Sequence, residues 1–105
     1  MKFRKAIAKD GEIRYHFMCP GCNMVHGIVT ESKTRPCWQF NGDVNKPTVS
    51  PSIKVTYPAN PNAEEQFKEW RTERICHSFI RGGMIQFLSD CWHDLKGKTV
   101  ELPEF

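Results

Sequence analysis

The sequence predicts a small β-rich α+β domain, and three observations carry that prediction: short runs in which apolar and polar residues alternate, glycine dipeptides that suit hairpin turns, and one segment with helical spacing. Phe3 to Ala8 and Glu12 to Met18 flank Asp10-Gly11, a dipeptide suited to a type I′ hairpin. In the second arm Ile13, Tyr15 and Phe17 alternate with Glu12, Arg14 and His16, the period of a half-buried strand, and Cys19 continues the apolar face. Cys19-Pro20-Gly21-Cys22 is a turn, and His26 to Thr30 is the strand that leaves it.

Trp38 to Phe40 is a short strand closed by Asn41-Gly42. The stretch Pro47 to Ser52 is expected to lie outside a central strand, because proline lacks the ladder donor, and Ser52 to Tyr57 resumes the extended pattern. Asn62 can cap a helix with Glu65 at the capping-box position and Phe67 and Trp70 on one face, ending near Arg74. Cys76 to Arg81 and Met84 to Cys91 flank Gly82-Gly83, a second hairpin, and Lys98 to Leu102 is a last strand after a turn at Gly97.

At 105 residues and 12.2 kDa the chain suits one domain, 1–105, and folding buries only about two-thirds of the unfolded surface. Its net charge of +3 comes from 15 basic and 12 acidic residues dispersed along the chain, which disfavours a dedicated nucleic-acid binder. No apolar run approaches a membrane span, and the basic start lacks a signal-peptide core, so a cytoplasmic location is expected. In a reducing compartment, cysteines at short spacing read as metal ligands or catalytic thiols before disulfides.

Cys19-x-x-Cys22, with proline and glycine between, has the form of a zinc knuckle: a tight turn points both sulfurs at one ion. A tetrahedral site needs two further ligands. With Gly82 and Gly83 as a two-residue turn, Cys76, Ser78 and Ile80 share a face with Ile85, Phe87, Ser89, Cys91 and His93, because side chains alternate with period two. His77 falls on the opposite face. The expected zinc set is therefore Cys19, Cys22, Cys76 and Cys91, with His93 and then His26 as substitutes, in a zinc-ribbon-like centre. Cys37 has no neighbour in sequence to pair with and reads as a packed or surface thiol.

The blocks His16 to Cys22, Trp38 to Asp43, Lys46 to Ile53, Cys76 to Ile80 and Phe87 to His93 together resemble a family of short phage and prophage proteins of unknown function, often labelled ammonia monooxygenase. That label does not transfer, since ammonia monooxygenase is a large copper enzyme of membranes. The resemblance implies a phage-associated origin, and weight on Cys19, Cys22, His26, Cys76, His77, Cys91 and His93.

Three functions are open. In the first, the domain is an accessory or host-interaction protein with a structural metal, binding a protein partner through the surface of Trp38, Asp43, Thr48, Ser50, Ser52 and His77. In the second it is a metalloenzyme, hydrolase-like, whose open zinc site uses His77, Asp90 and His93. In the third it is a zinc-ribbon nucleic-acid binder using Lys54, Arg71, Arg74 and Arg81, a minority reading because no element concentrates these cations.

Overall fold

The computed structural model describes residues 1–105. Eight antiparallel strands form two sheets: β1 (Arg4–Ile7), β2 (Ile13–Cys19) and β3 (Met24–Glu31) in one, and β4 (Gln39–Phe40), β5 (Val49–Tyr57), β6 (Arg74–Arg81), β7 (Met84–Phe87) and β8 (Thr99–Glu101) in the other. Within each sheet every strand pairs with its sequence neighbours, so every connection inside a sheet is a hairpin or a longer loop and none crosses over. Alternation then decides which side chains meet. Phe17, Cys19 and Ile28 point inward from the first sheet, and Val49, Ile53, Cys76, Ile80, Ile85 and Phe87 from the second; all are buried in one core with Phe3 and Leu102.

The later hairpin has the expected register, Arg81 opposite Met84 and Ile80 opposite Ile85. Gly82 and Gly83 both take positive φ, 56° and 80°, as a type I′ turn requires. The first hairpin differs. Only Gly11 has positive φ, Ala8 N–H bonds the Glu12 carbonyl, and Lys9, Asp10 and Gly11 form a three-residue loop. Asp10 instead accepts the Glu12 N–H through its carboxylate, a local bond that favours the longer loop.

Proline does not exclude Pro51 from β5, as the sequence reading expected. The strand runs through Val49-Ser50-Pro51-Ser52, and its register against β6 shifts between Val49, opposite Ile80, and Ile53, opposite Ser78. Such an irregularity is where a strand tolerates proline and re-aims a side chain. The helix is also shorter than expected: a 3-10 segment, Glu65–Arg71, entered from Glu64 rather than Asn62 and kinked at Phe67. It buries no residue, so nothing beyond local bonds lengthens it.

Arg74, at the start of β6, lies under that segment with its guanidinium over the rings of Tyr57, Trp70 and Trp92, 4.8, 5.2 and 5.2 Å from the centroids. It is buried, which corrects its assignment to a nucleic-acid surface: a guanidinium enclosed by three rings is withdrawn from any phosphate. The cage ties the helical segment to the end of the core where the cysteines gather.

Candidate active site and metal centre

Four buried side chains from three parts of the chain converge at one end of the core: Cys19 and Cys22 of the knuckle, Cys76 of β6, and His93. Their ligand atoms all lie within 4.8 Å of one another, a cluster that could hold a metal ion. Cys19 Sγ is 3.9 Å from Cys76 Sγ, and Cys76 Sγ is 3.5 Å from His93 Nε2. The knuckle is packed hard against His93, since a Cβ on Gly21 would overlap its ring. Gly21→Ala is therefore expected to displace His93 and lower metal affinity at least tenfold, measured by competition with a chromogenic chelator, while Gly11→Ala, with open space around it, leaves affinity alone.

The fourth corner is His93, the first substitute, where the sequence reading preferred Cys91. Period-two alternation was carried to residue 93 along a strand that ends at Phe87. Beyond it the chain turns, with Cys91 N–H bonded to the Leu88 carbonyl, and Cys91 points at the backbone of His77 instead. Its Sγ receives the His77 N–H at 3.2 Å and donates to the His77 carbonyl at 3.1 Å. Burial pushes the Cys91 thiol up, which suits a neutral donor rather than a thiolate ligand. Cys91→Ala should therefore leave one ion bound per chain by elemental analysis, whereas His93→Ala should not.

Electrostatics favour a cation in the cluster. Hydrogen bonds from Cys19 and Cys76 draw the Cys22 thiol far below the ordinary range, and the same crowding pushes the Cys76 thiol far above it: the sulfurs share protons that an ion would displace. Burial holds His93 below its usual value, as the neutral imidazole that coordinates metals. Trp92 donates its indole N–H to Cys22 Sγ at 3.4 Å and Cys22 N–H reaches Cys19 Sγ at 3.4 Å, bonds that orient thiolates. His26, the second substitute, is buried beside the sulfurs without entering the set. Burial pulls its imidazole down, but Cys19 and Cys22 more than offset this and raise it to about 9.

A second constellation lies on the opposite face of the same sheet. His77 directly follows Cys76 on β6, so it points away from the metal cluster, and its partner across the ladder is Lys54 of β5. The β5 irregularity brings Ser52 to it: Ser52 Oγ is 3.0 Å from His77 Nε2. On the other side His77 Nδ1 is 3.3 Å from Asp90 Oδ2. A carboxylate only accepts, so Nδ1 carries the proton and Nε2 is left to accept the Ser52 hydroxyl. Serine, histidine and carboxylate thus stand in the order, and on the ring nitrogens, of a nucleophile, its base and the group that orients the base.

The family model of the bacterial ubiquitination-like system serine protease (BubE) matches residues 3–88. The chain belongs to the BubE family. That span takes in Cys19, Cys22, Ser52, Cys76 and His77 and stops just short of Asp90 and His93. No curated protein and no solved structure matches the chain.

In this BubE-family chain the residues singled out from sequence are distributed between the two sites. His77 and Asp90 do not share a metal site with His93, as the metalloenzyme reading required; they belong with Ser52 on the opposite face. Trp38 stands beside them and donates its indole N–H to the Ser52 carbonyl at 3.2 Å. Asp43 and Thr48 instead serve the turns around them. The Asp43 carboxylate accepts the N–H groups of Lys46 and Asn45, which hold its carboxyl below the usual range, and Thr48 Oγ1 accepts the Gly82 N–H at 2.8 Å. Ser50 and Cys37 are exposed. No helix is long and apolar enough to cross a membrane.

Proposed function

We propose that the chain is a serine protease of a bacterial ubiquitination-like system, with Ser52 as nucleophile, His77 as general base and Asp90 as the residue that orients His77. The observation that carries this reading is the pair of contacts on His77, Ser52 at Nε2 and Asp90 at Nδ1. Family membership and geometry point to the same serine chemistry although they are independent of each other. His77 takes the Ser52 proton as Oγ attacks a carbonyl carbon, then gives it to the leaving group, which departs as an acyl-serine forms. Water, deprotonated by the same imidazole, releases the acid. The protein partner expected from the sequence is, on this reading, the substrate.

The ion is proposed to be zinc with a structural role. A tetrahedron with metal–sulfur bonds of ~2.3 Å and metal–nitrogen bonds of ~2.0–2.1 Å has sulfur–sulfur edges of about 3.8 Å and sulfur–nitrogen edges of about 3.6 Å. The Cys19–Cys76 and Cys76–His93 separations, 3.9 and 3.5 Å, fit such edges. Cys19, Cys22, Cys76 and His93 would hold the ion in a buried, four-ligand site of the closed kind, whose contribution is to fold rather than to chemistry. Adjacency in sequence joins the two sites: Cys76 ligates where His77 reacts, and Asp90 lies three residues before His93.

Hydrolysis of p-nitrophenyl acetate by native protein and by Asp90→Asn tests the reading. Asparagine can offer its amide N–H to Nδ1 and so favour the tautomer that cannot accept the serine proton, so kcat should fall by roughly 10²–10⁴ with the fold intact. Equal turnover by both proteins would remove Asp90 from the mechanism, and no turnover by native protein would remove the hydrolase reading.

A further inference from the structure

The backbone of β5 beyond Ser52 has a free edge. Trp92 N–H bonds the Ile75 carbonyl and Leu88 N–H bonds the His77 carbonyl, so the main-chain groups of Ile75 and His77 face away from β5. Their ladder partners are Thr56 and Lys54. In an antiparallel pair such residues turn their N–H and C=O outward, and β4 covers β5 only at Val49 and Ser50. Lys54 and Thr56 are exposed, and no other backbone or side-chain bond reaches their main chain. The Ser52 carbonyl faces the same way and is already taken by the Trp38 indole, which closes the edge beside the nucleophile.

We propose that this edge is the substrate-docking site: an extended segment of a polypeptide adds to β5 as a strand, bonded to the main chain of Lys54 and Thr56, and meets Ser52 where Trp38 blocks further pairing. The inference rests on the serine-hydrolase reading and specifies its substrate as extended, unstructured chain rather than folded surface or small ester. The occupant follows from continuity, because the strand that offers the unpaired donors and acceptors is the strand that carries the nucleophile. Unpaired edges of this kind are paired or blunted in most proteins, and an added strand supplies affinity through main-chain bonds with little dependence on sequence. The segment would run along the edge with alternate amides turned toward β5.

The test uses a Val- and Thr-rich hexapeptide p-nitrophenyl ester and variants of it, each N-methylated at one amide, with p-nitrophenyl acetate as the probe that reaches only the serine. Methylation should lower kcat/KM about tenfold at alternate positions and little between them, a period of two that only strand pairing produces. Thr56→Pro, which removes an outward N–H at a position where edge strands accept proline, should lower the ratio of peptide to acetate turnover by a similar factor. Uniform sensitivity, or none, with acetate still hydrolysed would overturn the docking proposal alone. A concentration-dependent dimer that Thr56→Pro abolishes would also overturn it, since a second copy would then occupy the edge. Absence of acetate hydrolysis would instead strike the hydrolase reading beneath it.

Discussion

Replacement of Ser52 by alanine is expected to lower esterase and protease turnover by at least 10³-fold without changing the fold. Ser52 is half-buried on the outer face of the five-stranded sheet, and its hydroxyl bonds only His77, so its removal leaves no core cavity. His77→Ala should cost about as much. The double variant should be no worse than either single one, because nucleophile and base act as a unit and effects within such a unit are far from additive. Activity measured with p-nitrophenyl acetate, alongside circular dichroism, separates loss of chemistry from loss of fold. A Ser52→Ala protein with native turnover would place the nucleophile elsewhere.

The second large effect is expected on removal of the ion that the cluster is proposed to hold. In a chain this small the core is thin, and zinc binding in small domains supplies roughly 10–16 kcal/mol of apparent free energy at neutral pH that is also folding free energy. Three buried sulfurs and an imidazole would be left crowded together without it, two of the thiols in strongly shifted states. Cys19→Ser or Cys76→Ser, and equally a strong chelator, should abolish the cooperative thermal transition and all hydrolysis together. Acid acts the same way. The ligands must be deprotonated to bind, so affinity falls as pH falls, and the ion should leave on acidification rather than on raising pH. A chain that stays folded and active in chelator, with no ion by elemental analysis, would show that the cluster is only packed thiols.

The two sites differ in how far they could be read from sequence. The knuckle is local: Cys19 and Cys22, three apart around Pro20-Gly21, declare a ligand pair before any tertiary contact is known. Gly82-Gly83 sets the hairpin register, and period two then turns Cys76 inward to the cluster. Cys91 and His93 were not separable that way, since β7 ends at Phe87 and alternation has no meaning in the turn that follows. The serine site is non-local throughout. Ser52 lies 25 residues before His77, and Asp90 lies 13 after it, joined only by the packing of β5, β6 and the turn.

Chain order gave no help, because serine, histidine and aspartate occur here in an order unlike those of the familiar hydrolase folds. From sequence, Ser52 groups with His77 in the partner surface and Asp90 groups with His77 and His93 in an open zinc site, and nothing local joins all three. The signal that joins them is the β5 irregularity, in which Pro51 marks a strand whose register shifts between Val49 and Ile53, around the serine, and such a shift is invisible without the partner strand. His77 carried a second hint. It directly follows Cys76, which the hairpin register turns inward, and so falls on the opposite face of the sheet, where it is only partly buried.

The most direct measurement of the account is reaction of the folded, metal-loaded protein with a fluorophosphonate, followed by intact and peptide mass spectrometry. One adduct per chain is expected, mapped to Ser52, absent from Ser52→Ala and strongly slowed in His77→Ala. No adduct, an adduct on another residue, or labelling that persists in Ser52→Ala would contradict the assignment of Ser52 as the nucleophile.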